Sequence, residues 1–228
     1  MSDNFQERLA HIQERMAAAC ARAGRHADEV QLVAVSKTYG PERVREAAAC
    51  GLRIFGENKV QEAEAKVPEC PGSVSWHLIG HLQSNKAARA VALFDQIHSV
   101  DSLKLLQKLD GAAAAEGKRM PLLLEINVSG ESSKFGLRPE SVPEVLEHVG
   151  ELESSQVVGV MTMPPLTADA ERARQFFRRL RELRDEWSAR FNLPLAELSM
   201  GMSHDFEIAI EEGATWIRVG TALFGERT

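Results

Sequence analysis

Lys37 ends the run Val30-Gln-Leu-Val-Ala-Val-Ser36, an apolar stretch rich in β-branched residues. Such a run reads as a buried strand of a parallel sheet, with the lysine where the strand leaves the core. An ammonium at that point costs desolvation unless it is paired or used covalently. Desolvation lowers a lysine's pKa, and the neutral amine is a nucleophile able to form a Schiff base. A lysine at a strand end can equally snorkel into solvent, so the residue needs partners to carry meaning. Those partners lie near the C-terminus. Ser199-Met-Gly-Met-Ser203 precedes a helix expected to begin near His204, with Ser203 as its N-cap. Arg218-Val-Gly-Thr221 closes the last expected strand, where Gly220 permits close backbone approach and Thr221 adds a donor. Free backbone N–H groups beside a hydroxyl make an anion site. A cap and a tight turn explain each piece alone, but not both in that pair of loops.

These residues depend on other elements to bring them together. Residues 4–22 place Phe5, Leu9, Ile12, Met16 and Cys20 at helical spacing, with Gly24 as a stop. Strands are expected over 31–36, 53–55, 75–79, 96–100, 122–127, 157–161, 195–199 and 216–219. Helices are expected between them over 41–50, 59–67, 85–94, 102–116, 139–150, 168–190 and 204–213. Repeated β-then-α alternation implies a parallel sheet with right-handed crossovers. The expectation is an α/β fold, a single (β/α)8 TIM barrel with an extra N-terminal helix, forming one domain over 1–228. A doubly wound open sheet would want a Gly-x-Gly-x-x-Gly turn after the first strand, and none is there. Barrels place their chemistry at the C-terminal ends of strands, and the loops after strands seven and eight frequently hold phosphate. The strand ends here carry Lys37, Gly56-Glu57-Asn58, Gly80-His81, Ser99, Asp101, Asn127, Thr162, Ser199 to Ser203 and Gly220-Thr221.

Composition excludes several classes. The 228 residues carry a formal net charge of −6, which offers no broad basic field to nucleic acid or an anionic membrane. Cys20, Cys50 and Cys70 have neither the spacing of a zinc site nor the even count of a disulfide framework, and they fit a reducing cytoplasm. No stretch approaches the ~18 apolar residues of a membrane span. His77 and His81 are four apart but on a strand entering a turn, and no third ligand is suitably spaced, so no metal site is expected. His81 reads either as a hydrogen-bonding residue at a pocket rim or as part of a segment that only caps the next helix. The seven arginines from Arg172 to Arg190 alternate with acidic residues around an apolar stripe of Phe176, Phe177, Leu180, Leu183 and Trp187, which describes a solvated helix face. In the helix over 102–116, Leu103, Leu106 and Leu109 are expected to face the core.

An imine-forming lysine facing a phosphate site in one barrel suggests pyridoxal phosphate. Val33-Ala-Val-Ser-Lys37, Phe55-Gly-Glu-Asn58, Trp76-His-Leu-Ile-Gly-His-Leu-Gln-Ser-Asn-Lys86, His98-Ser-Val-Asp101, Ser199-Met-Gly-Met-Ser-His-Asp205, Arg218-Val-Gly-Thr221 and Phe224-Gly225 together resemble the YggS/PROSC family. These are pyridoxal phosphate homeostasis proteins, similar in fold to the barrel domain of alanine racemase, and the resemblance spans nearly the whole chain in order. It implies that Lys37 holds pyridoxal 5'-phosphate as an internal aldimine. It also implies that Ser203, Gly220 and Thr221 bind the phosphate, that Arg218 faces the pyridine nitrogen, and that Asn58 sits beside the ring or its 3-oxygen. Lys134, in Glu131-Ser-Ser-Lys-Phe-Gly136, matches a loop lysine of the family. Tyr39 and Lys59 fill positions that the family varies.

Racemase chemistry on this cofactor needs acid/base groups on both faces of the substrate carbon. In alanine racemases the second is a tyrosine from a β domain of the partner subunit. Here the sequence ends at Thr228, shortly after the eighth strand, and its single tyrosine is Tyr39, two residues from Lys37. The expectation is therefore a monomeric carrier without the racemase β domain and with no catalytic residue, which buffers pyridoxal phosphate and passes it to apo-enzymes. A weak amino-acid racemase is the alternative; a barrel that takes another phosphorylated ligand is a third.

Overall fold

The computed structural model describes residues 5–225 apart from 166 and 168. Asn4 and Ala168, where two of the expected helices begin, lie outside the described residues, as does the segment 226–228. Helix α1 (Phe5–Arg22) comes first, and the chain then alternates. The next elements are β1 (Gln31–Val35), α2 (Pro41–Ala49), β2 (Ile54–Glu57), α3 (Val60–Lys66), β3 (Ser75–Leu78), α4 (Ala87–Leu93), β4 (Gln96–Val100) and α5 (Leu103–Ala115). They are followed by β5 (Met120–Glu125), α6 (Val142–Glu147), β6 (Ser155–Met161), α7 (Arg174–Phe191), β7 (Glu197–Met202), α8 (Phe206–Glu211), β8 (Trp216–Val219) and α9 (Thr221–Phe224). The strands close in order into a barrel, every neighbouring pair is parallel, and β8 returns to β1 through Gln31↔Trp216 and Ala34↔Val219. This is the expected (β/α)8 barrel, and the open sheet is ruled out.

Only β4 and β8 match the expected ranges; β1 and β3 stop one residue early, β6 starts two residues early at Ser155, and β2, β5 and β7 differ most. β2 runs on through Gly56 and Glu57 because both pair with β3, opposite His77 and Leu78, and glycine is needed there since a Cβ on Gly56 would lie 2.8 Å from Val33 Cγ1. β5 stops at Glu125 because the chain returning at Leu137 takes over the next groups. Leu137 N–H donates to Glu125 O at 2.7 Å, and Asn127 N–H donates to Leu137 O at 2.9 Å. β7 continues to Met202 through Gly201, whose φ of +89° few other residues tolerate. As a result α8 starts at Phe206 with Asp205 at its N-cap position, so Ser203 does not cap that helix as expected.

Most of the core lies between the barrel wall and the surrounding helices. Inside the barrel, Val33, Val35 and Ile79 form a second, small apolar cluster. The barrel strands also bury the polar side chains His77, His98, Ser199 and Arg218. On α5 the deepest positions are Leu105, Leu106 and Leu109, with Leu103 half-buried. On α7 the stripe is Phe177, Leu180, Leu183 and Trp187, with Phe176 at its half-buried edge. The arginines beside that stripe are committed: Arg174, Arg178 and Arg181 all pair with Glu212 at 3.1–3.2 Å. Among the described residues no helix is long and apolar enough to cross a membrane.

Helix α1 buries Phe5, Leu9, Ile12, Met16 and Cys20 against α8 and α9. Phe5 meets the Phe224 ring, with centroids 5.5 Å apart, and Arg8 Nε donates to Leu223 O at 2.8 Å. Arg15 pairs with Glu207 at 2.7 Å. The extra helix thus braces the one-turn helix α9 that follows Gly220.

Candidate functional site

Lys37 sits in the turn that follows β1, half-buried, as its strand-end position implied. The turn is closed by Tyr39 N–H donating to Ser36 O at 3.1 Å. Its third residue, Thr38, has φ of +69°, a left-handed conformation that costs a β-branched residue about 1–2 kcal/mol. Tyr39 is fixed from the other side. Its ring stacks on Phe224 at 5.0 Å, and its hydroxyl donates to Gly225 O at 2.8 Å. Lys37, Val35, Tyr39, Gly220 and Thr221 line one cavity of about 30 Å³.

Gly220 approaches β1 closely, and a Cβ on it would lie 3.3 Å from Val35 Cβ. Ser203 reaches the same place from the β7 side. Its Oγ accepts from Gly220 N–H at 3.3 Å and from Ala222 N–H at 3.4 Å. The hydroxyl therefore gathers two backbone donors beside Thr221 instead of serving α8. These donor groups match a phosphate monoester, and the primary amine beside them matches an aldehyde.

Arg218 lies deeper, 3% exposed on the inward side of β8. Its Nη1 donates to Ser199 Oγ at 2.6 Å and its Nη2 to Thr162 O at 2.9 Å. Ser199 Oγ lies 2.8 Å from His98 Nδ1, and His98 Nε2 lies 3.0 Å from His77 Nδ1. Arginine only donates, so the Ser199 proton points to His98, and His98 Nε2–H points to His77. Burial supports this neutral chain: it holds His77 down to about 4 and His98 well below the usual histidine range. Burial also lowers Arg218 to about 10, opposed by the charges of Asp205 and Glu125. The guanidinium stays charged at neutral pH and cannot act as a base.

Asn58 is half-buried after β2, and Gly80 packs on it so closely that a Cβ there would lie 2.4 Å from Asn58 O. The position of the Asn58 backbone thus depends on Gly80. His81 does not cap the next helix. Its Nδ1 lies 3.0 Å from Asp101 Oδ2, and its ring stacks on Phe135 at 4.0 Å. Lys134 is exposed on the loop before Phe135, a loop organised by Asn127, whose side chain bonds Ser129, Gly130 and Glu131. A much larger groove of about 870 Å³ lies between α4 and α5, lined by neither Lys37 nor the residues around it. No cluster of three metal-ligating side chains occurs among the described residues.

Three groups of the site escape a reading by strand ends alone. Glu125, 2% exposed on β5, leaves Oε2 without a partner, and burial followed by Asp101 raises its pKa to about 7. His98 belongs to the inward register of β4, a period-two signal. Lys66 shares the buried face of α3 with Val60 and Ala63. A lysine at an apolar position of a helix was the available signal.

The fold and the strand-end pocket define a barrel of the alanine racemase class, and the family model described as alanine racemase, N-terminal domain matches residues 8–228. A pyridoxal phosphate homeostasis protein of Aquifex aeolicus is 45% identical over 225 residues, covering 98% of this chain and 99% of the relative. The mouse protein of that name is 39% identical and is covered to 85%. PipY of Synechococcus elongatus, solved with pyridoxal phosphate bound, superposes with a TM-score of 0.86 at 41% identity, covering 97% of this chain and all of that one. An alanine racemase of Clostridium difficile shares the fold with a TM-score of 0.72 at 16% identity, and 57% of its length is covered. The chain belongs to the alanine racemase N-terminal domain family and, within it, to the pyridoxal phosphate homeostasis proteins.

Glu125 makes stability depend on pH with a definite sign. Its folded pKa of about 7 stands above the ordinary 4.5, so between those values the folded state keeps a proton that the unfolded state has lost. Stability therefore falls as pH rises through this window and levels off above it. Glu125→Gln removes the penalty. In thermal or urea unfolding of the ligand-free protein, the variant gains on the order of 3 kcal/mol above pH 7 and nothing below pH ~4.5.

Proposed function

We propose that this protein binds pyridoxal 5'-phosphate covalently through Lys37, buffers it in the cytoplasm, and releases it to apo-enzymes without turning over amino acids. The observation that carries the reading is the single cavity shared by Lys37, Gly220 and Thr221, with Ser203 bonded to the same backbone. Relatives named for pyridoxal phosphate homeostasis and the ligand-bound PipY support the choice of cofactor. When bound, the cofactor supplies an electrophilic aldehyde and a ring able to withdraw electrons.

The chain's own residues do the rest. Ser203, Thr221 and the Gly220 backbone hold the phosphate by charge-assisted hydrogen bonds, worth roughly 1.5–3 kcal/mol each. Arg218 faces the pyridine nitrogen. A permanent cation there disfavours a proton on that nitrogen and weakens the ring as an electron sink. Asn58 sits beside the ring or its 3-oxygen. Tyr39, the single tyrosine of the sequence, commits its hydroxyl to Gly225 O and is not available as a second acid/base. The half-buried rim position of Lys37 leaves the linkage open to water and other amines, which is what release requires. Free Cys20, Cys50 and Cys70 suit a reducing compartment. The barrel acts as one domain and as a monomer.

Borohydride treatment of the loaded protein fixes a pyridoxyl group on Lys37 by peptide mapping, and Lys37→Ala abolishes it. A label found mainly on Lys134 defeats the assignment. Ser203→Ala combined with Thr221→Val weakens binding of pyridoxal phosphate far more than binding of unphosphorylated pyridoxal; equal losses assign both residues to the fold alone. Chiral chromatography after incubation with L- and D-alanine finds negligible isomerisation, since loss of one positioned acid/base group removes about 10²–10⁴ in rate. Robust racemisation that Lys37→Ala abolishes decides for the racemase instead.

A further inference from the structure

Directly behind the Lys37 turn, inside the wall, lies a buried ion pair. Lys66 is 7% exposed and Glu57 is fully buried. Lys66 Nζ donates to Glu57 Oε1 at 2.6 Å and to the Ser36 carbonyl at 2.8 Å. Ser36 Oγ donates to the same Glu57 oxygen at 2.6 Å. Burial raises the Glu57 pKa, opposed by the hydrogen bonds from Lys66 and Ser36. Both charged side chains meet Ser36, the residue immediately before Lys37.

A buried ion pair is a poor source of stability, because the desolvation of two charges offsets their attraction. Replacing such a pair by apolar groups is often neutral or stabilising. The pair therefore needs a reason other than stability, and its geometry supplies one. The Ser36 carbonyl accepts from Lys66 Nζ and also from Tyr39 N–H, the bond that closes the turn. Thr38 in that turn is held at φ of +69°, away from its own minimum. Backbone strain of this kind persists only where the surroundings over-determine it. Tyr39, anchored on Phe224 and Gly225, restrains the turn from the front. Lys66 restrains it from behind.

We propose that Lys66, held by Glu57, is the positioning residue of Lys37: it clamps the Ser36 carbonyl and fixes the direction in which the Lys37 amine leaves the barrel wall. The proposal rests on Lys37 being the attachment point and adds that its reactivity is set from α3. Lys66 does not touch the cofactor. It acts through the Ser36–Lys37 peptide.

The test uses Glu57→Gln with Lys66→Met, which removes both charges together so that neither is left buried alone. Thermal unfolding shows the double variant as stable as the parent or more so. Pyridoxine 5'-phosphate, which carries the phosphate but no aldehyde, binds it as it binds the parent. Borohydride labelling of Lys37 at limiting pyridoxal phosphate falls by about tenfold or more, as expected for a nucleophile displaced by a fraction of an ångström. Hydrogen exchange of the Tyr39 amide in the ligand-free protein rises by about tenfold. Glu57→Gln alone, which keeps the Lys66 bond to Ser36, labels like the parent. Should the double variant not fold, Lys66→Gln is read by the same measurements. Parent-like labelling and parent-like Tyr39 exchange in a folded variant overturn the proposal. So does a loss of pyridoxine 5'-phosphate binding in step with the label, which marks a general structural role. A parent that fails to label at Lys37 defeats the functional reading, whereas the Tyr39 exchange in the ligand-free protein still decides whether Lys66 holds the turn.

Discussion

The guanidinium of Arg218 is a permanent charge enclosed by a barrel of apolar wall, and much of the interior is arranged to tolerate it. Left alone in such a medium it would cost many kcal/mol, so each part of it meets an acceptor or a counter-charge. Ser199 and Thr162 take its hydrogen bonds, while Asp205 and, once ionised above about pH 7, Glu125 supply opposing charge from the segment after β7 and from β5. The histidine chain behind Ser199 stays neutral, because burial first and then the charge of Arg218 disfavour a second cation beside it. These polar groups occupy space that branched apolar side chains commonly fill in such interiors, beside the small cluster of Val33, Val35 and Ile79.

The site itself is assembled by restraint from outside the barrel. α1 presses on α9 through Phe5 and Arg8, α9 presents Gly220 and Thr221, and Phe224 holds the Tyr39 ring next to Lys37. Lys66 meets the turn from α3. Packing contacts between helices are thereby converted into the position of one amine relative to one set of backbone donors. Such conversion is how rigid elements keep a binding site accurate.

The barrel and most of its rim were legible in the sequence because alternating apolar runs and helical stripes are local signals. Lys37, Ser203, Gly220 and Thr221 announced themselves by residue type at strand ends, and the structure brings them to one corner. What was not legible depended on partners distant in sequence. Ser203 read as a helix cap because nothing local reveals that its hydroxyl will meet Gly220 and Ala222 from the next strand. Glu125 falls inside the strand expected over 122–127 and carried no signal of its own, since its raised pKa arises from burial and then from Asp101. Lys66 was passed over within the helix expected at 59–67, although its place in line with Val60 and Ala63 was visible. Its contact with Ser36 spans two β/α units, and that distance is supplied by the fold alone.

Lys37 and Gly220 stand just after β1 and just after β8, so they are joined only where the first strand meets the last, Gln31 beside Trp216. Among the pairings of the barrel this is the one most distant along the chain, and loop-closure entropy makes such contacts slow to form. A nascent or partly folded chain can thus display Lys37 long before the backbone donors at Gly220 stand beside it. Any ligand that needs both then acts as a latch on the finished ring: it binds only the closed form and, by mass action, draws the folding equilibrium toward it.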